Sequence, residues 1–382
     1  MKSRFHIILG LSVLLVSPFS GIRAQDAPTI TIHKSDVINI AVDGVAGAIS
    51  PTLQKDLALS GAFSLGQPSG ASYIVSGDGS GGGFHGVVKD RSGGVVLSKN
   101  YSGESRAIAH QFADDVVQTI TGHPGIANST IAFVSTRTGR KEIYTADYDG
   151  SNVRQLTHDN GISVAPALSA DGRRLAYTGY LSGYADIYLI DLPSGRRERI
   201  VKFPGTNSGA AFSPDGGRIA CTVSKDGNPE LYVIGVNGQG AHRLTHTHGV
   251  ESSPSWSPDG REIVYSSDET GSPRLFRIPS GGGDAQAVNT GFGFCTEPNW
   301  SPDGRKVAFT IRQGGFSIGV TDLGSGATRV VSPDGEDAVW GADSRHLIYC
   351  NGSSVILLDS QTGRSIPIVT GLGKVSEPTW SR

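Results

Sequence analysis

Four acids and a small group of histidines are the residues of this 382-residue chain whose types and spacing could do chemistry. Glu251, Glu297, Asp337 and Glu377 follow one another about one internal repeat apart, with Thr247, His248 and Thr296 beside them. If the repeats close into a ring, these acids converge on one mouth of its channel. Carboxylates gathered where water is scarce are costly without counter-charge, so the set points to a basic or cation-bridged ligand. Ordinary solvated loops are the competing reading. His242, His246 and His248 stand near one another, and His158 occupies the repeat position of His246. Alternate histidines on a strand face one way and can ligate a metal. Nothing fixes a third or fourth ligand, so no metal is assigned. No Gly-x-Ser-x-Gly elbow and no His-Glu-x-x-His pair is present. The glycine cluster at 79–83 lacks the Lys-Ser/Thr of a phosphate loop and precedes no helix, so it reads as a turn.

The elements that must position these residues are repeats. Ser213-Pro214-Asp215-Gly216 returns as Ser257-Pro258-Asp259-Gly260 and Ser301-Pro302-Asp303-Gly304. Ser169-Ala170-Asp171-Gly172 is an earlier variant and Gly341-Ala342-Asp343-Ser344 a later, worn one. Pro at the second turn position has its φ preset, and Gly at the fourth leaves without a Cβ clash. Alternating strand patterns flank each turn, as in Pro254-Ser255-Trp256 before it and Glu262-Ile263-Val264-Tyr265 after it. A period in the 40s with short strands is the signature of propeller blades, and six blades in 131–382 take about 42 residues each. Glu377-Pro378-Thr379-Trp380-Ser381 supplies the inner strand that blade one lacks, closing the ring without a free edge. Ser332-Pro333-Asp334-Gly335 is off register and belongs to the loop before an inner strand. Trp256, Trp300, Trp340 and Trp380 recur at inner-strand ends and read as packing between blades.

Ahead of the repeats, Ser50 with Pro51 reads as the N-cap and first position of a helix that Gly61 stops. Residues 104–121 form the longest helix, with Ile108, Phe112, Val116 and Ile120 on one face, ended by Gly122 and Pro124. Residues 25–124 are thus expected to be a small α/β domain, followed at 125–382 by an all-β six-bladed propeller whose last strand is 377–381. Lys2 and Arg4 precede a short apolar run broken by Pro18, so 1–24 reads as a cleaved signal peptide. Its removal takes away Lys2, Arg4 and Arg23 and no acid, moving the formal charge from −2 to −5. A mildly acidic chain is poorly suited to nucleic acid. The three cysteines are an odd number. Cys221 and Cys350 read as small buried residues in blades on opposite sides of the ring, and Cys295 as a loop residue open to solvent, so no disulfide is expected.

The order of signal peptide, small α/β domain, six blades and terminal Pro-Thr-Trp-Ser resembles the TolB family of periplasmic propeller proteins of the Tol-Pal system. Arg106-Ala107-Ile108-Ala109-His110, Leu57-Ala58-Leu59-Ser60-Gly61, the run from Tyr144 to Gly150 and Ala210-Ala211-Phe212-Ser213-Pro214-Asp215-Gly216 carry the resemblance in detail. It covers essentially everything after the signal peptide. The resemblance implies a non-catalytic adaptor, which holds the lipoprotein Pal on one propeller face and contacts TolA through a mobile N-terminal arm. It implies a role in outer-membrane integrity and in envelope constriction during cell division. The matching arm here is 26–36; by its pattern alone Thr29-Ile30-Thr31-Ile32 reads first as a strand added to the domain's own sheet and second as one offered to a partner's sheet edge, the use the resemblance implies.

The expected protein is therefore a periplasmic monomer that reaches the membrane only through its partners. Thr247, His248, Glu251, Thr296, Glu297, Asp337 and Glu377 are its candidate Pal-binding residues, and Thr29, Ile30, Thr31 and Ile32 its TolA-binding ones. No cofactor is expected; calcium at the channel mouth stays open. The main alternative is a secreted propeller lyase or hydrolase acting on cell-wall or other polysaccharide through the same carboxylates and histidines.

Overall fold

The structure, a computed structural model, describes residues 37–45, 47–80 and 83–381. The expected signal peptide at 1–24 and the expected arm at 26–36 lie outside the described residues.

The first described element is a mixed sheet. Strands β1 (Ile38–Val45), β2 (Phe63–Leu65), β3 (Tyr73–Ser80), β4 (Gly83–Asp90) and β5 (Val95–Ser102) take the order β2-β1-β3-β4-β5. β1 runs parallel to β2 and β3, while β4 and β5 pair antiparallel. Helices α1 (Ile49–Leu59) and α2 (Ser105–Thr121) cover one face. The four-residue spacing on α2 does what the sequence predicts: Ile108, Phe112 and Val116 are buried, and Gly122 ends the helix with φ +75°. The start of α1 differs from expectation. Ala48 is its N-cap, no side chain caps it, and Ser50 is already inside the first turn, where its hydroxyl accepts from Gln54.

The Phe112 ring lies 5.4 Å from both the Phe84 and Tyr101 rings. It fills the space that the missing side chain of Gly86 leaves, where a Cβ would stand 2.7 Å from it. Gly86→Ala should therefore destabilise the protein by about 1–3 kcal/mol through overpacking. Chemical denaturation checks this, and an unchanged midpoint would show that Phe112 can move aside.

After α2 come six four-stranded antiparallel sheets. The inner strand of blade one is Val375–Trp380, hydrogen-bonded to Thr130–Ser135, so the end of the chain closes the ring. Thr130 and Ser381 exchange two hydrogen bonds, and the Trp380 indole donates to Ser129 Oγ at 2.7 Å. The repeated turn works as its composition suggests. Gly216 N–H donates to the Ser213 carbonyl at 2.8 Å, Arg218 N–H to the Ser213 hydroxyl, and that hydroxyl to Asp215. Ser257 and Ser301 repeat the pattern, and Ser332-Pro333-Asp334-Gly335 indeed precedes the inner strand Glu336–Trp340.

The four tryptophans are buried in the propeller. Trp256 donates its indole N–H to the Ala211 carbonyl of the preceding blade, and Arg218 lies over its ring at 4.9 Å. All three cysteines are free and buried. For Cys295 this corrects the expectation of an exposed loop residue. It opens the inner strand Cys295–Trp300, the position that Ser163, Asn207 and Glu251 hold in the three preceding blades, all fully enclosed.

In each blade the loop entering the inner strand and the turn between the second and third strands share one face of the ring. The Ser-Pro-Asp-Gly turns share the other with the turns between the third and fourth strands. The N-terminal domain sits on that second face, against blades one and six. A single apolar cluster runs from Leu53, Leu57 and Phe112 into Phe133, Tyr148, Ile348 and Trp380.

Candidate functional site

Strand alternation alone would not aim the acids into the channel. Each inner strand carries a bulge near its third residue, where its pairing register shifts. At that point Ala165, Gly209, Ser253, Glu297, Asp337 and Glu377 adopt left-handed backbone, with φ between +49° and +63°. The bulge turns all six toward the axis, and they line a cavity of about 720 Å³. A non-glycine residue in this conformation costs roughly 1–2 kcal/mol, so five of the six positions are held there by their surroundings.

Part of what holds them is a relay between blades. Asp337 N–H donates to Glu297 Oε2 at 3.2 Å, Glu377 N–H to Asp337 Oδ2 at 3.2 Å, and Ala165 N–H to Glu377 Oε2. Thr310 Oγ1 also donates to Glu297 Oε2, at 2.6 Å. Glu297, Asp337 and Glu377 thus form a half-ring on blades five, six and one, facing Ala165, Gly209 and Ser253 on blades two to four. Burial, then the Glu297 and Glu377 carboxylates, push Asp337 well above the ordinary carboxylate range, and the same causes raise neighbouring Glu336. Lys141, half exposed, stands 3.8 Å from Glu377 Oε1 as a counter-charge. Negative charge is therefore crowded at this mouth and only partly balanced.

Glu251 does not join the half-ring, which corrects the expected convergence of four acids. Two residues ahead of the bulge, it points into the blade, fully enclosed. Its Oε1 accepts from Thr247 at 2.8 Å and from Ser267 at 2.7 Å. Burial raises its carboxyl to about 7 against those two hydrogen bonds, with neighbouring Glu230 adding to the rise. The signal was in the spacing: 297, 337 and 377 are equal steps, and one regular repeat before Glu297 is Ser253. Thr247 is half-buried and held by Glu230 and Glu251, His248 is exposed, and Thr296 precedes Glu297 on its strand. His158, His242 and His246 are exposed. Among the described residues no group of three or more His, Cys, Asp or Glu is arranged to hold a metal. The arm residues Thr29, Ile30, Thr31 and Ile32 lie outside the described residues.

A second polar cluster, which sequence reasoning missed as a site, joins the N-terminal domain to blade one. Buried Asp56 on α1 accepts from His110 Nδ1 on α2 at 2.7 Å and from the Tyr148 hydroxyl at 2.8 Å. Lys55 and Arg106 both reach Asp149, each at 2.6 Å, and Arg106 also pairs with Asp147 at 2.9 Å. Burial would raise the Asp149 carboxyl, but the hydrogen bonds from Arg106 and Lys55 outweigh it and hold it well below the usual range. Arg345 of blade six donates to the Gly61 carbonyl at 2.9 Å. Residues 106–110, 144–150 and 57–61, three of the four phrases that carry the family resemblance, meet here; the fourth, 210–216, is the repeated turn of blade three.

Among the described residues no helix is long and apolar enough to cross a membrane. The TolB beta propeller domain family matches residues 117–382. A Protein TolB homolog of Chlorobium chlorochromatii is 34% identical over 175 residues, 45% of this chain and 34% of that protein. The Tol-Pal system protein TolB of Geobacter sulfurreducens is 32% identical over 213 residues, 45% of this chain and 49% of that protein. The chain thus spans a third to a half of the length of these curated relatives. The crystal structure of TolB from Acinetobacter baumannii shares the fold with a TM-score of 0.81 and 24% identity, over 90% of this chain and 96% of that one. A propeller of six bulged blades, a half-ring of acids at its mouth, and a matching family domain over most of its length lead to one conclusion: the chain belongs to the TolB β-propeller family.

Proposed function

We propose that this chain is a non-catalytic periplasmic scaffold of the Tol-Pal system. Its open propeller face, opposite the N-terminal domain, holds the lipoprotein Pal, and the arm at 26–36 engages TolA. Through these partners it supports outer-membrane integrity and constriction during division. The observation that carries this reading is the half-ring of Glu297, Asp337 and Glu377 at the mouth of an open cavity, which calls for a cationic group from outside. Thr247, His248 and Thr296 sit on the same side of the ring, while Glu251 contributes by holding Thr247 in place. The three carboxylates each accept a backbone N–H of the next blade and so help to hold the bulges, and the matched family is that of the TolB propeller. The polysaccharide-enzyme alternative loses ground for that reason.

The test is a calorimetric titration of the protein with the soluble Pal domain from the same organism. Micromolar or tighter binding is expected, about tenfold weaker for Glu377→Gln and weakened further by salt. Gln keeps an acceptor for the Ala165 N–H, so the bulge is preserved. No heat with both proteins folded would sink the Pal assignment.

A further inference from the structure

Four blades join their second and third strands with one shared turn. Gly139, Gly183, Gly227 and Gly271 each donate to the carbonyl three residues back, at 2.7–3.1 Å, and each has φ between +84° and +101° with open space around it. The backbone demands the glycine and leaves the other positions free. Blade three fills them with Ser224, Lys225, Asp226 and Asn228, and blade four with Asp268, Glu269, Thr270 and Ser272. Blade two instead places Tyr180, Leu181 and Tyr184 there, with Tyr184 71% and Leu181 45% exposed. Turn chemistry does not ask for apolar residues at this tip, since the same turn is polar elsewhere in the ring. Two exposed tyrosines with a leucine between them make an apolar tip, and tyrosine is among the residue types enriched in binding anchors.

Its place on the ring says what it contacts. Tyr180 N–H donates to the Ile162 carbonyl at 3.2 Å, and Ile162, itself exposed, precedes channel-lining Ala165 by three residues, about 10 Å of strand. The same loop is tied to blade one, because Ser163 N–H donates to the Lys141 carbonyl at 2.9 Å. That neighbouring turn carries Arg137 and Arg140, both exposed and in no ion pair among the described residues. Around the rim the surface therefore runs from acidic (blades five, six and one) to basic (the blade-one turn) to apolar (the blade-two turn).

We propose that the blade-two turn is the anchor that orients the protein partner on the open face. The partner sets a cationic side chain in the channel mouth, an acidic one against Arg137 and Arg140, and an aliphatic or aromatic one on Tyr180, Leu181 and Tyr184. Charge complementarity in that order admits one orientation and rejects the reverse. This deepens, and rests on, the reading that the face binds a protein.

The test exchanges the blade-two tip for the one blade three already uses, Leu181→Lys with Tyr184→Asn, so that the turn itself is retained. The soluble Pal domain is the probe, titrated against the whole protein, with thermal midpoint and sedimentation measured alongside. An unchanged midpoint with binding weakened at least tenfold supports the anchor. Equal binding by wild type and variant overturns the anchor and leaves the Pal reading standing. If the wild type does not bind, both fall together. A wild type that sediments as a dimer, with a monomeric variant, overturns the assignment by making a second copy of the chain the occupant.

Discussion

Glu251→Gln is expected to stabilise the propeller by about 3 kcal/mol at pH 8 and to change nothing at pH 4. The wild-type carboxyl is fully enclosed, with one oxygen serving Thr247 and Ser267 and the other without a hydrogen-bond donor among the described residues. Its neighbour Glu230 is buried too, holding Arg243 Nη2 at 2.7 Å and the Thr247 N–H at 2.8 Å. Burial is the main cause that lifts Glu251 to about 7, with Glu230 adding to it, against about 4.3 in the unfolded chain. A raised carboxyl imposes no penalty below the unfolded value. The penalty accumulates as pH rises from there and is complete above about 7, at about 1.4 kcal/mol per unit. Glutamine keeps an acceptor for Thr247 and Ser267, presents N–H groups to Glu230, and never ionises. Thermal midpoints of both proteins from pH 4 to pH 9 check this. Parallel curves would show that water or a shift of the chain relieves the ionised pair.

Asp56→Ala should cost about 3–5 kcal/mol, the largest loss expected from any single side chain in the junction. The substitution removes one carboxylate but strands two donors, His110 Nδ1–H and the Tyr148 hydroxyl, both buried. Among the described residues His110 Nε2 has no hydrogen-bond partner, with Asp147 Oδ2 3.9 Å away, so the ring would lose the one hydrogen bond it makes there. Asp56→Asn keeps one acceptor and should cost less than half as much. Urea denaturation followed by tryptophan fluorescence separates the cases, since all four tryptophans lie in the propeller. Because α1, α2 and blades one and six share one apolar cluster, the loss should appear as a single transition. Two separated transitions would mean that the domains hold independently and that Asp56 serves the N-terminal domain alone.

Much of this was legible because repeats make the sequence its own control. The turn residues announce the same inner turn of each blade and so its period, since proline and glycine meet backbone needs that do not depend on distant neighbours. The same internal comparison exposes the blade-two tip and would have separated Glu251 from Glu297. The start of α1 was misplaced for the opposite reason. A serine before a proline is a local preference, and the packing of Ile49 and Leu53 against the sheet begins the helix earlier.

By itself, then, the sequence determined the six-bladed ring, the closing strand at its end, the small α/β domain ahead of it and the family resemblance. These rest on periodicity and turn chemistry, which act over a few residues. Only the tertiary structure decided where charge meets charge. The left-handed bulge that swings Glu297, Asp337 and Glu377 into the channel and leaves Glu251 enclosed comes from pairing with a neighbouring strand and blade. Asp56 finds His110 and Tyr148 because two helices and a blade turn, distant in sequence, share one buried space. The fate of a carboxylate depends on what surrounds it once the chain is folded, and no local pattern encodes that.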